Sequence, residues 1–150
     1  MSEAFGVNRL DELVRRMSGL TVDRNDLDRL TDLVDEKLYD LLLVGVRNAS
    51  YNGRDLIMEP DLPLTRGLRD SMEDFTLYKE RVDVEPILEQ LATRPLLERE
   101  PSQQVIDLLP DMFGTLMMVT LELMPIVDPG LENPDDDTWG RVREAMEFLI

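Results

Sequence analysis

The stretch from Arg24 to Tyr51 constrains the fold more than any other part of the sequence. Its apolar residues recur at steps of three and four, which is the period of an amphipathic helix. They are Leu27, Leu30, Val34, Leu38, Leu41, Leu42, Gly45, Val46 and Ala49. At 1.5 Å per residue such a helix is about 42 Å long. Its middle, LLLVGV (residues 41–46), is apolar on every side, so other elements must enclose it.

A second apolar stretch indicates another long helix, over about residues 102–124. Pro110 within it indicates either a kink or the restart of a helix. Each long helix lies between two shorter helical patterns, so the order short–long–medium occurs twice. We therefore predict an all-α protein with two halves, residues 1–80 and 81–150, which form a single domain over residues 1–150. Because neither half could bury its long helix alone, the two long helices are expected to cross in one shared core.

The connection after the first long helix, RNASYNGRDLIMEPDLP (residues 47–63), carries an unusual set of residues. Gly53 indicates the end of the helix. Arg54 follows it, and the apolar triplet at residues 56–58 indicates a short extended segment. Asp61 lies seven residues after Arg54, in an acid–proline–acid run that is typical of a helix start.

This connection resembles the corresponding part of archaeal histones. In those proteins an Ala/His–Gly–Arg helix end is followed by a short β-like strand and then by Glu–Asp at the start of the last helix. The run GRDLIMEPD (residues 53–61) falls on the matching positions. The sequence LVRRMSGLTVDRND (residues 13–26) also resembles the first helix and the capped start of the long helix in that fold.

Over its whole length the chain is similar to a small family of uncharacterised prokaryotic proteins that are single-chain histone-fold pseudo-dimers. The second half fits mainly through LLPDMFGTL (residues 108–116) and DPGLENP (residues 128–134). The resemblance implies a histone fold, in which two fused short–long–short helix units pack as an intramolecular pseudo-dimer with a degenerate second half. It also implies that Arg54 pairs with Asp61 and ties the loop to the helix that follows.

Charge argues against the DNA binding for which histones are known. The chain has 16 basic and 32 acidic residues, a net charge of −16, whereas binding to phosphates usually requires a surface rich in Lys and Arg. Asp55 and Leu56 stand where archaeal histones carry a basic residue and a threonine, and the connection at residues 127–137 is acidic. We therefore expect a histone-fold protein that acts through protein–protein association, with a protein partner or a second copy, and whose DNA binding is weak or lost.

The alternative function is that of a nucleoid-associated DNA-binding protein, which would use a basic edge of the first half. Arg15, Arg16 and Arg24 are the candidate contacts to DNA phosphates. Arg24 and Arg29 alternate with aspartates, which is also the pattern of a solvated, ion-paired helix face. Both interpretations of these arginines remain open at the level of sequence.

Catalysis and cofactor binding have few candidate residues in this chain. Histidine and cysteine are absent, which removes the commonest general base and all thiol chemistry. No phosphate-binding loop or dinucleotide fingerprint occurs. The acidic run at residues 135–137 is a candidate for Mg²⁺ or Ca²⁺, but a helix start with Asn133 as cap and Pro134 at the first position explains it. We predict a non-enzymatic protein with no cofactor and no metal site.

The sequence also gives an expectation about location. No apolar run reaches the roughly 20 residues that a transmembrane helix requires, and the N-terminus lacks the pattern of a signal peptide. We expect no membrane association and a cytoplasmic location, with the nucleoid as the alternative.

Overall fold

A computed structural model describes residues 7–150 of the chain, with side chains from Arg9 onward. The helices are α1 (Val7–Ser18), α2 (Arg24–Tyr51), α3 (Arg66–Thr76), α4 (Val84–Leu91), α5 (Gln103–Val127) and α6 (Asp136–Leu149), and the strands are β1 (Leu56–Ile57) and β2 (Glu100–Pro101). One 3-10 turn, Glu59–Asp61, lies between β1 and α3. The described part of the chain is therefore mostly helical, and a long helix lies between two shorter ones in each half.

Local hydrogen bonds fix both ends of α2. The Asp26 amide donates to Asp23 Oδ1 at 2.8 Å, and the Asp23 amide donates to Asp26 Oδ2 at 3.1 Å. This reciprocal capping box satisfies two backbone donors that the helix itself leaves free. At the other end Gly53 has a φ of 71°, a left-handed conformation that costs glycine little. The predicted range of the first long helix, Arg24 to Tyr51, is confirmed.

In the second half the structure excludes one of two alternatives and corrects one prediction. α5 is one continuous helix with Pro110 inside it, so no restart occurs there. α6 is capped by Asp135 rather than by Asn133, and it begins at the next residue. Asp135 Oδ1 accepts the Thr138 amide at 2.9 Å. Asn133 is used elsewhere, because its side-chain amide, in the orientation that satisfies its hydrogen bonds, donates to the Thr21 carbonyl at 3.1 Å.

β1 and β2 pair in parallel and join the two halves of the chain. Ile57 lies opposite Pro101, and the Ser102 amide donates to the Ile57 carbonyl at 2.9 Å. The sequence predicted the extended segment at residues 56–58 but gave no sign of its partner strand. The end of α2 is thereby held beside the start of α5.

A second link joins the other ends of the two long helices. The Thr21 amide, just before α2, donates to the carbonyl of Glu132, just after α5, at 3.3 Å. The start of α2 therefore lies beside the end of α5. The connection after α2 thus lies beside the connection before α5, and the connection before α2 lies beside the connection after α5.

α5 lies at the centre of the fold and contacts all five other helices. The buried apolar side chains form one continuous cluster, to which every described helix contributes. By length and hydropathy α5 is also the one described helix that could cross a membrane, but 61% of its most apolar window is buried inside the fold. Packing within the protein therefore accounts for its apolar character.

α3 approaches α5 at a point where α5 has no side chain. A Cβ atom placed on Gly114 would lie 2.0 Å from Phe75 Cζ and within 2.6 Å of two further ring atoms. Phe75 is itself 1% exposed, so its ring has little room to move aside. The contact between these helices therefore requires glycine at this position.

Gly114→Ala is expected to destabilise the protein, because the added methyl group overlaps Phe75. Overpacking of this kind costs about 1–3 kcal/mol, measured as the free energy of unfolding in urea. Gly140→Ala in α6 is the matched control, since its Cβ would meet no atom within 4 Å. Alanine favours a helix over glycine by roughly 1 kcal/mol, so this control should be neutral or stabilising. Equal losses in both variants would contradict the packing argument.

Candidate interaction surfaces

Arg54 and Asp61 are brought together at the end of α2. Asp61 is 1% exposed and forms an ion pair with Arg54, whose terminal NH2 group donates to Oδ1 while Nε donates to Oδ2 at 3.3 Å. Oδ2 also accepts the Met58 amide at 2.8 Å. Asn48 of α2 donates its side-chain amide to the Asp61 carbonyl at 2.7 Å. These bonds tie the long helix to the 3-10 turn that follows β1.

The same pair has a marked electrostatic character. The hydrogen bond from Arg54 holds the pKa of Asp61 below its ordinary value, against the opposing effect of burial, and the Met58 amide adds to it. Asp61 in turn raises the pKa of Arg54. Asp61 offsets the positive charge of Arg54 within the protein, so Arg54 is less available to bind a DNA phosphate.

Arg15 and Arg16 at the end of α1 are exposed, but both have carboxylate partners. Arg15 pairs with Asp11 at 3.4 Å, and Arg16 pairs with Glu80 at 3.2 Å. Glu80 also forms an ion pair with Arg9, at 2.6 Å. Three arginines thus lie on α1, and two carboxylates offset much of their charge.

Arg24 and Arg29 have different surroundings, although the sequence treats them alike. Arg29 reaches Asp136 of α6 at 2.6 Å, as on an ion-paired face. Arg24 is exposed in the first turn of α2 and has no ion pair with any residue that the structure describes. It is separated from Arg16 by the connection at residues 19–23.

A polar seam that the sequence did not reveal joins α2 to α6. Lys37 is 0% exposed, and its ammonium group donates to Asp40 at 3.2 Å and to Glu147, with Glu36 at 3.8 Å. Burial would lower the pKa of Lys37, but the hydrogen bonds to Glu147 and Asp40 outweigh it and raise the pKa. The three carboxylates lie within 4.8 Å of one another, and the lysine supplies the cation among them.

The spacing of Lys37 is the signal that could have identified it. It lies three residues after Val34 and four before Leu41, on the stripe that the helical period directs to the core. Further along the seam, Trp139 Nε1 donates to Asp26 Oδ1 at 3.0 Å. The partners on α6 are more than a hundred residues away in sequence, so only the spacing was visible beforehand.

An open groove of about 650 Å³ lies between the C-terminal half of α2 and the segment before β2. Its walls hold large apolar side chains that the fold leaves uncovered: Leu43 is 44%, Tyr51 91% and Leu96 94% exposed. The Tyr39 hydroxyl donates to the Pro95 carbonyl at 2.7 Å and holds the second wall against α2. An uncovered apolar patch of this kind is typical of a surface that binds another molecule. We refer to it as the α2 groove.

Together these features define a mostly helical protein built around two long helices. The chain belongs to the family described as "Domain of unknown function (DUF1931)", whose profile matches residues 10–147. Two uncharacterised proteins of Aquifex aeolicus (strain VF5) are similar to it. One is 24% identical over 144 residues, which cover 96% of this chain and 80% of the relative. The other is 30% identical over 113 residues, covering 67% of this chain and 68% of the relative.

Solved structures show the same overall arrangement. The crystal structure of a Thermus thermophilus protein is 39% identical, with a TM-score of 0.91, and the match covers 98% of this chain and 99% of that one. A crystal structure of an Aquifex aeolicus protein is 21% identical, with a TM-score of 0.81 and coverage of 100% and 99%. The first relationship supports common ancestry, and the second supports a shared fold.

Asp61→Asn is expected to destabilise the protein at neutral pH, because Arg54 and the Met58 amide lose a charged acceptor. The loss should be about 1–3 kcal/mol in the free energy of unfolding. Since folding lowers the pKa of Asp61, its contribution is complete above about pH 5 and is lost as pH falls below its ordinary value of 3.8. The difference between wild type and variant should therefore narrow in acid, as measured by urea unfolding across pH.

Asp70→Asn is the matched control for this change. Asp70 pairs with Arg66 at 3.1 Å on the exposed face of α3, with 60% of the Asp70 side chain accessible. Such surface pairs contribute about 0.5 kcal/mol or less. A loss in Asp61→Asn no larger than this, or one that is independent of pH, would contradict the structural role of the pair.

Proposed function

We propose that this chain has a histone fold, in which two fused short–long–short helix units pack as an intramolecular pseudo-dimer. The pairing of the connections supports this proposal. β1, which follows the long helix of the first half, pairs with β2, which precedes the long helix of the second half. The bond between Thr21 and Glu132 links the remaining two connections in the reciprocal way. Two units related by an approximate two-fold axis would bring their connections together in this pattern.

We infer that the protein is not an enzyme and that it acts by associating with another protein. The uncovered apolar side chains of the α2 groove carry this inference, because monomeric proteins seldom leave such a patch without a use. The histone-type frame is consistent with it, since that fold presents surfaces to partner molecules. Two of the buried charged groups, Lys37 and Asp61, have structural partners and need no substrate to satisfy them.

Weak or absent DNA binding follows from the distribution of charge. The net charge of −16 repels a phosphate backbone at long range. Arg54 is bound to Asp61, and Arg15 and Arg16 are bound to carboxylates. At these three arginines a DNA strand would have to displace the internal partner before it gained a phosphate contact.

A mobility-shift titration with duplex DNA at low salt tests this part of the proposal. We expect no complex below about 1 µM protein, because non-specific binders that reach this range depend on an excess of Lys and Arg. Binding below that concentration, weakening as salt rises, would contradict the proposal.

The second candidate is a nucleoid-associated DNA-binding protein. The observation in its favour is that α1 carries Arg9, Arg15 and Arg16. Arg24 adds a charge that has no ion pair among the described residues. It requires that replacing Arg15 and Arg16 by alanine weakens DNA binding and reduces its salt dependence. Arg66→Ala, at a side chain that is 89% exposed on α3, is the control that should change neither.

Association with protein is tested in cells by placing a photoreactive phenylalanine analogue at Leu96, which is 94% exposed in the α2 groove. We expect crosslinked products of higher mass whose size nuclease treatment leaves unchanged. The same analogue at Leu77, which is 76% exposed outside the groove, is the control and should give far fewer. Equal yields at the two positions, or products removed by nuclease, would overturn the proposed association.

A further inference from the structure

Basic side chains in this acidic protein are mostly paired with carboxylates, and the exceptions are concentrated. Acidic residues outnumber basic ones by 32 to 16, so a partner is seldom far from any basic group. The basic side chains without a carboxylate partner among the described residues are Arg24, Arg47, Lys79, Arg94, Arg99 and Arg141. Half of them, Arg47, Arg94 and Arg99, lie in or beside the α2 groove.

Arg47 lies on one wall of the groove, and Arg94 immediately precedes the other wall in the chain. Arg47 is exposed on α2 and lines the groove directly. Arg94 lies over the ring of Tyr39, with its guanidinium carbon 5.6 Å from the ring centre. The Nε atom of Arg94 is buried and has no hydrogen-bond partner among the described residues. A buried donor without an acceptor is costly and marks a place where a further group can bind.

Arg99 lies next to the groove on the β2 side. Its Nε donates to the Arg54 carbonyl at 3.2 Å, and its NH1 group donates to the Glu98 carbonyl at 3.3 Å. These neutral acceptors hold the guanidinium in place without cancelling its charge. A positioned guanidinium of this kind is well suited to bind a carboxylate through two parallel hydrogen bonds.

Carboxylates lie near these arginines but form no ion pair with them among the described residues, including Glu98 and Glu100, which flank Arg99 in the chain. Within the part of the chain that the structure describes, Glu98 is the one acidic side chain that lines the groove. Asp40, on the neighbouring turn of α2, is already hydrogen-bonded to Lys37 at 3.2 Å. At physiological salt charges are screened over about 8 Å, so the three guanidinium groups act on a molecule bound in the groove more strongly than distant charges do.

We propose that the α2 groove binds an acidic peptide segment of a partner protein. An apolar or aromatic side chain of the peptide lies in the groove, against Leu43 and Leu96, and flanking carboxylates pair with Arg47, Arg94 and Arg99. The inference rests on the protein–protein association proposed above and specifies the chemistry of the partner. The apolar anchor supplies contact area, and the arginines select acidic sequences.

The walls of the groove favour a peptide over the other occupants. Single-stranded nucleic acid is held by stacking its bases on flat aromatic side chains. Here Tyr51 is the nearly fully exposed aromatic ring, and the remaining apolar lining is mostly aliphatic, including Leu43, Val46 and Leu97. A second copy of this chain is the remaining occupant, and the oligomeric state of the protein tests it.

Fluorescence anisotropy with two labelled synthetic peptides tests the proposal on the full chain. Both peptides carry the same Phe-Leu centre and the same length, and they differ only in having flanking Glu or flanking Lys residues. We expect the Glu peptide to bind in the micromolar range and the Lys peptide at least about tenfold more weakly. Absence of this preference would overturn the assignment of an acidic partner.

Two variants locate the binding, and two matched controls guard against a general effect. Arg47→Glu and Leu96→Glu should each weaken binding of the Glu peptide at least about tenfold. Arg66→Glu and Leu77→Glu make the same changes at exposed positions outside the groove and should leave the affinity unchanged. All four sites are exposed, so unchanged thermal unfolding would show that the variants fold. If the control variants weaken binding of the Glu peptide as much as the groove variants do, the peptide does not bind in the α2 groove.

The remaining occupants are separate outcomes of the same test. If an oligothymidylate binds more tightly than the Glu peptide, the occupant of the groove is nucleic acid and not an acidic peptide. If sedimentation equilibrium shows a dimer and Arg47→Glu abolishes it, the occupant of the groove is a second copy of the chain. If the Glu peptide does not bind while crosslinks to protein at Leu96 persist, this inference is wrong and the association stands. If both fail, the proposed function is wrong as well.

Discussion

The packing of α2 against α5 is the constraint on which the rest of the structure depends. Both helices are apolar on more than one side, so each buries the other and still requires cover from the shorter helices. α5 contacts all five other helices. Other elements approach the two long helices closely at glycines. Gly114 of α5 faces Phe75 of α3, and Gly45 of α2 faces Ile57 of β1, whose Cγ2 would be 2.8 Å from an added Cβ. Side chains at these positions would push the layers apart.

The connection after α2 links this core to the surface. Arg54 and Asp61 hold its backbone in place, and β1 pairs with β2 across the two halves. The Arg54 carbonyl then accepts Arg99, which fixes that guanidinium next to the α2 groove. An internal ion pair thus helps to position a charge that faces outward. The rigidity of the groove would follow from the rigidity of this connection.

Charge has two roles in this protein. Ion pairs join helices, as in the seam between α2 and α6, where Arg143 pairs with Glu36 at 2.6 Å and Lys37 lies among three carboxylates. These pairs direct which helices lie together. Half of the basic side chains outside such pairs among the described residues lie in or beside the α2 groove, where we propose that they bind an acidic peptide.

The sequence by itself determined the elements whose causes lie within a few residues. The range of α2 follows from its apolar period and its capping box, and the helical class follows from the absence of alternating patterns. The pairing of Arg54 with Asp61, seven residues apart, was implied by the resemblance to archaeal histones. Only the tertiary structure decided the partner of β1, the cap of α6, the surroundings of Lys37 and the α2 groove. Each of these depends on residues far apart in the chain, such as Tyr39 and Pro95, whose meeting is set by helix packing and leaves no local pattern.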